Sequence, residues 1–204
     1  MWQKLLRESS FFLLLQTFDR DLAEEYRGKG CGVCGGRLDR SSYSRKPRGG
    51  PPDLGEDYAV RESFCCSEEG CRRRLTPPSL RFLGRRVYLG AVVVLVSAMV
   101  QGVTAKRASS MYELCGVSVR TLRRWRKWWR EQFVHTRLWS GIQGRFAKRV
   151  DESLLPASLL EQIEGRGECE RAVRALRLLL PLTAGANCVL DGQNPQKMRS
   201  RLAR

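Results

Sequence analysis

The feature that most constrains this chain is a fifteen-residue stretch, Val119 to Phe133, reading VRTLRRWRKWWREQF. On a helical wheel of 100° per residue, Val119, Leu122, Trp125, Trp129 and Phe133 fall on one face. Arg120, Arg124 and Lys127 point the other way, with Thr121 and Arg123 at the flanks. One side is suited to a core and the other is a cationic ridge. Immediately before it stands Gly116-Val117-Ser118. Gly116 can take the positive φ of a tight turn, and Ser118 is a good N-cap. The residues ahead of the turn, TAKRASSMYELC from Thr104, are compatible with a helix. Helix, short Gly-containing turn and Arg-bearing second helix are the sequence form of a helix-turn-helix. Such a helix can lie in a major groove, its guanidinium groups reaching guanine edges and phosphates.

The pattern GVSxxTLxRW, carried by Gly116, Val117, Ser118, Thr121, Leu122, Arg124 and Trp125, resembles the helix-turn-helix of bacterial transposases, resolvases and small regulators. That resemblance covers about thirty residues and implies double-stranded DNA as partner. Four positions before the turn glycine, where that family usually carries a small residue, this chain has Tyr112. Either the two helices stand further apart or the register differs.

Charge agrees with a polyanionic partner. Lys and Arg number 37 against 21 Asp and Glu, a formal net charge of +16. Membrane surfaces and structured RNA share that attraction, so charge alone does not choose among them. The apolar segments Phe11–Phe18 and Ala91–Val100 are too short to cross a bilayer, which takes about 20 residues. With no persuasive secretory signal, the expectation is a cytoplasmic, nucleoid-associated protein and reduced thiols.

The second informative pattern lies upstream. Cys31-Gly-Val-Cys34-Gly-Gly has the shape of a zinc knuckle, in which two thiolates converge while glycines let backbone amides turn toward the sulfurs. A second pair comes from Phe64-Cys65-Cys66-Ser-Glu-Glu-Gly-Cys71. Cys66 with Cys71 is the expected choice, and Cys65 competes with Cys66. The expected cofactor is therefore Zn, on Cys31, Cys34, Cys66 and Cys71. Gly30, Gly32 and Gly35 also spell G-x-G-x-x-G, but no hydrophobic strand leads in, so a dinucleotide loop is not expected.

Taken in order, the expected domains are an N-terminal helix (1–28), a zinc-ribbon-like domain with a long loop (29–78), a helix-turn-helix domain (79–135), a helical appendage (136–190) and a basic disordered tail (191–204). In the first, Ser9 or Ser10 should cap a helix with Phe12, Leu15, Leu22 and Tyr26 on its apolar side. The loop between the cysteine pairs, rich in Gly, Pro and charge, is expected to be mobile and solvated. Arg72, Arg73 and Arg74, extended by Arg81, Arg85 and Arg86, read as a phosphate-contacting connector, after which Ser79 can begin a helix. Tyr88–Gln101 is β-branched, yet its length and the Gln101-Gly102 stop favour a helix covering the two motif helices. Downstream, Ala157–Ile163 and Glu168–Leu180 should be helices that pack on their own chain or pair with a second copy. Cys115, Cys169 and Cys188 read as small buried apolar side chains, and His135 as a surface or capping residue. The fold class is mainly α with a small β zinc ribbon, a trihelical helix-turn-helix domain and C-terminal helices.

The order of zinc knuckles, basic connector, apolar helix and helix-turn-helix, Gly30 to about Phe133, resembles the N-terminal DNA-binding part of insertion-sequence proteins. The resemblance implies base contacts by Arg120, Thr121, Arg123 and Arg124, and phosphate contacts by Lys127 and Arg72–Arg74. Such transposases add a domain whose carboxylates hold two metal ions. No such set is found here, so the expectation is a non-enzymatic, sequence-specific binder of mobile-element type. The alternatives are a transposase or recombinase fragment completed by a separate catalytic subunit, or an RNA-binding zinc-ribbon protein; a homodimer is a further expectation.

Overall fold

The computed structural model of the chain describes residues 2–100 and 104–184. It is mainly helical with a small antiparallel sheet. Expectations for the tail and for Cys188 lie outside the described residues, as does the Gln101-Gly102 stop.

The first helix, α1 (Ser9–Gly28), buries Phe11, Phe12, Leu15, Asp19, Ala23 and Tyr26, a stripe at three- and four-residue spacing. Leu22 lies half-buried at its margin. The expected serine cap is not made: the flanking residue is Glu8, and the Ser9 hydroxyl donates instead to the Asp53 carboxylate. Five short strands follow: β1 (Leu38–Arg40), β2 (Tyr43–Ser44), β3 (Val60–Arg61), β4 (Phe64–Cys66) and β5 (Arg74–Leu75). They pair antiparallel as a three-stranded sheet in the order β1-β4-β5 and as the two-stranded β2-β3 ribbon.

The segment between the cysteine pairs is not the solvated loop that its composition suggests. Arg45 donates to the Gly84 and Arg86 carbonyls, the Arg48 N–H to the Val87 carbonyl, and Gly49 approaches Val92 so closely that a side chain there would meet it. Gly49 here serves close packing, with its φ of 89° in the left-handed region.

The helical body is built around α2 (Gly90–Met99), in which Ala91 to Val96 are all buried. A helix apolar all round belongs at the centre of a core, and that placement overrides the β-propensity of its valines. Its role is broader than covering the motif helices: it packs against α4 (Val119–Glu131), α6 (Ala157–Gln162) and α7 (Glu168–Leu178). The last two helices stand where the sequence expects them, laid against their own chain, with Val173, Leu176 and Leu179 buried. A short helix, α5 (Arg137–Ile142), was not foreseen; Trp139 on it is buried, and its indole N–H donates to Glu152.

α1 joins two cores. Phe11, Phe12 and Leu15 belong to the large one, whereas Ala23 and Tyr26 pack with Cys31, Leu38, Phe64, Cys66 and Leu75 in a smaller one. Between them stands the buried ion pair of Asp19 and Arg81, at 2.8 Å. Asp19 also accepts from the Ser79 hydroxyl and the Leu80 N–H, and Arg81 donates to the Tyr58 and Val60 carbonyls. Two expectations are overturned here. Ser79 does not begin a helix; its buried hydroxyl caps a turn by accepting from the Arg81 and Phe82 N–H groups. Arg81 is no phosphate-contacting residue, because burial beside a carboxylate commits its charge internally.

Candidate functional site

The first knuckle follows directly from the end of α1. The Cys31 N–H donates to the Gly36 carbonyl and the Gly35 N–H to the Cys31 carbonyl, closing a tight loop that turns Cys31 and Cys34 the same way. The second knuckle is the β4–β5 turn, where the Cys71 and Arg72 N–H groups both donate to the Glu68 carbonyl. Pairing of β1 with β4, Leu38 opposite Cys66, brings the two together. The sulfurs of Cys31, Cys34, Cys66 and Cys71 all lie within 4.8 Å of one another. Cys31 Sγ is 3.7 Å from Cys71 Sγ, and Cys34 Sγ 3.4 Å from Cys66 Sγ. Four sulfurs around one ion at metal–sulfur bonds of about 2.3 Å stand about 3.8 Å apart, so the set has the dimensions of a tetrahedral tetrathiolate site. The four cysteines can hold a metal ion.

Strand alternation separates the two adjacent candidates. Cys66 points with Phe64 into the small core, while Cys65 faces away, its Sγ 3.6 Å from the Arg72 carbonyl oxygen. Gly36 closes the sulfur cradle: a side-chain carbon there would stand 2.5 Å from Glu68 Cγ and 3.2 Å from Cys66 Sγ. A larger residue there would displace the Glu68 side chain and crowd the sulfurs.

The thiols differ in acidity. Burial opposes ionisation of Cys31, but hydrogen bonds from the Cys34 and Val33 backbone, with neighbouring thiols, hold it down at about 7. Burial pushes Cys66 up to about 12. Four thiols so close together become four thiolates only with a cation among them.

The second candidate site is the pair α3 (Ala105–Cys115) and α4, joined by Gly116-Val117-Ser118. Thr104 caps α3 by accepting the Arg107 N–H, and Ser118 caps α4 by accepting the Thr121 N–H. Gly116 has φ 63° and its N–H donates to the Tyr112 carbonyl. The Tyr88 hydroxyl donates to the Gly116 carbonyl, tying the turn to the body. Tyr112 is exposed, so its bulk does not separate the helices; Ala108, Met111 and Cys115 form the buried face of α3.

On α4, Leu122, Trp125 and Trp129 are buried as the wheel predicts. Val119 is instead exposed, one turn short of the core, and Phe133 is buried from a 3-10 turn beyond the end of the helix. Arg120, Arg123, Arg124 and Lys127 are exposed, Lys127 pairing with Glu131 at 3.6 Å. Thr121 is half-buried and its hydroxyl lies 3.1 Å from that of Ser118, so it is partly committed to the cap. Arg72, Arg73 and Arg74 are exposed on the β4–β5 turn and at β5, Arg74 donating to Ser41.

The basic residues brought beside α4 are Arg85 and Arg86, which line an open groove of about 480 Å³ with Arg124, Lys127 and Trp128. The sequence places Arg81, Arg85 and Arg86 in one run; the fold buries the first, leaves Arg85 exposed and half-buries Arg86 against Trp128. No local signal separates them, since Leu80, Phe82 and Leu83 flank Arg81 while Val87, Tyr88 and Leu89 follow Arg86; the distant partner Asp19 does. His135 is exposed and not part of the cysteine cluster; Cys115 is buried and Cys169 half-buried. Among the described residues no helix is long and apolar enough to cross a membrane. Compared with protein-family models, curated proteins and solved structures, the chain matches none of them.

Proposed function

We propose that this chain is a sequence-specific, double-stranded DNA-binding protein of mobile-element type, in which α3, the glycine turn and α4 act as a helix-turn-helix. The observation that carries the reading is the division of α4 between buried Leu122, Trp125 and Trp129 and exposed Arg120, Arg123, Arg124 and Lys127, behind a left-handed glycine and a serine cap. In this reading Arg120 and Arg123 reach base edges, with Thr121 beside them, and Lys127 and Arg72–Arg74 contact phosphates. Zinc is the metal proposed for Cys31, Cys34, Cys66 and Cys71, because an all-thiolate tetrahedral donor set suits a closed structural zinc site. Its contribution would be to tie the β1-β4-β5 sheet to the end of α1, held by the four cysteines.

No strand-cleaving step is assigned to this chain. Among the described residues, Asp19 pairs with Arg81, Glu152 accepts from Trp139 and Glu170 pairs with Arg174.

Selection of bound duplexes from a random pool, with zinc quantified in the same preparation, tests the reading. A recovered consensus that Arg123→Ala degrades is the expected result, together with about one zinc per chain for a single four-cysteine site. Tighter binding to structured RNA than to any duplex at equal salt would replace this reading by an RNA-binding one. Metal-dependent nicking of bound duplex, abolished by an Asp or Glu substitution, would replace it by a catalytic one.

A further inference from the structure

Arg85 and Arg86 follow Gly84 at a corner of the chain whose backbone is pinned from outside. Arg45 donates to the Gly84 and Arg86 carbonyls at 2.9 and 2.8 Å, and the Arg48 N–H to the Val87 carbonyl at 3.0 Å. The Arg86 guanidinium lies 4.0 Å over the Trp128 ring, so it is held flat against α4. Arg124 and Lys127 complete the cationic lining of the groove. Among the described residues no carboxylate pairs with Arg85, Arg86 or Arg124. Burial and the Arg124 charge both bear against the Arg86 cation. Three guanidinium groups held together without a counter-charge form a concave positive field that an anion would relieve. A small-molecule pocket is usually enclosed, whereas this one is open and carries Arg85, Arg86, Arg124 and Lys127 among its lining residues.

We infer that this groove is a clamp for the DNA backbone, in which Arg85, Arg86 and Arg124 grip phosphodiester oxygens, so that Arg124 holds the sugar-phosphate chain instead of reading a base. The inference rests on the duplex-binding reading above and assigns the loop between the cysteine pairs a role: Arg45 and Arg48 preset the corner. Base readout is thereby left to the N-terminal half of α4.

The test is the salt dependence of duplex binding by the full chain, measured on the selected duplex and on a scrambled one. Arg85 is exposed, so Arg85→Gln leaves folding undisturbed; Arg124→Gln is the second variant, and unchanged far-ultraviolet circular dichroism checks both. Each substitution should weaken both duplexes by the same factor and lower the slope of log affinity against log salt by about one. Arg123→Gln should instead reduce the ratio between the two duplexes. The clamp is overturned if Arg85→Gln leaves affinity and slope unchanged, or if Arg124→Gln alters the preferred base at one position without changing the slope. Failure of the wild-type chain to bind any duplex would bring down the underlying reading and the clamp with it.

Discussion

The cysteine-bearing end and the helical body of this molecule bury apolar surface on very different scales. Among the described residues, the body's core holds forty buried side chains, continuous from Trp2 through α2 and α4 to Leu179. The small core holds seven, and two of those, Cys31 and Cys66, belong to the four-cysteine set. At about 25 cal/mol per Å² of apolar area, a core of that size offsets little of the conformational entropy of β1, β4, β5 and their turns. The same arithmetic makes the body self-sufficient. One region is therefore a fold that a metal would complete, and the other a fold that needs no metal.

The largest expected effect breaks this comparison outright. Chelation, or Cys66→Ser, should remove a metal contribution of order 10–16 kcal/mol and disorder the β1-β4-β5 sheet while α2, α4, α6 and α7 persist. Hydrogen exchange read by peptide would show amides of 30–42 and 63–76 becoming unprotected and those of 90–99 staying protected. Loss of protection throughout would mean that the two regions stand or fall together.

Next in size is the joint between them. Asp19→Ala leaves the Arg81 guanidinium buried without its carboxylate, and should cost about 3–5 kcal/mol in denaturant titration. Replacing both partners by apolar residues of similar volume should recover most of that loss. A full loss in the double variant would show that the remaining hydrogen bonds to Tyr58, Val60 and Ser79 matter more than the ion pair.

A smaller effect belongs to the body alone. Ser118→Ala removes the cap of α4 and should cost about 1 kcal/mol, with metal content unchanged. Reduced metal content in that variant would show a coupling that the separate cores do not suggest.

The smallest effect belongs to the metal-free cysteine end and concerns pH. Cys31, held down at about 7 from an ordinary 9.0, adds stability that is complete above 9 and lost as pH falls through 7. Cys66, pushed up to about 12, acts oppositely and costs stability as pH rises above 9. The metal-free sheet should thus gain protection as pH rises from about 7 to about 9 and lose it above 9, with one thiolate detectable by ultraviolet absorbance from near neutrality. Protection rising steadily to pH 11 would remove the burial argument for Cys66.

The turn and its helices were legible because their causes are local. Thr104, Gly116 and Ser118 act on backbone groups within a few residues, and the Leu122-Trp125-Trp129 spacing names its own buried face. The four-cysteine set was legible for a related reason, since ligand spacing is a property of short loops. The fate of Arg81 was not. A basic run without acids reads as solvated until Asp19, some sixty residues earlier, is placed beside it. The loop of 41–62 misled for the same reason, because its glycines and arginines acquire their role from Val92 and the Arg85–Arg86 corner.

What the amino-acid order settled by itself was the Gly116 turn with its Ser118 cap, the two short segments that carry the clustered cysteines, and the apolar face of α4 at Leu122, Trp125 and Trp129; each depends on neighbours within a turn or two of the chain. Which arginines are spent inside the protein and which remain open beside α4, and whether Cys65 or Cys66 faces the other sulfurs, was decided only by the tertiary structure. Charge pairing, burial and strand register are relations between distant segments, and they exist only once those segments have been brought together.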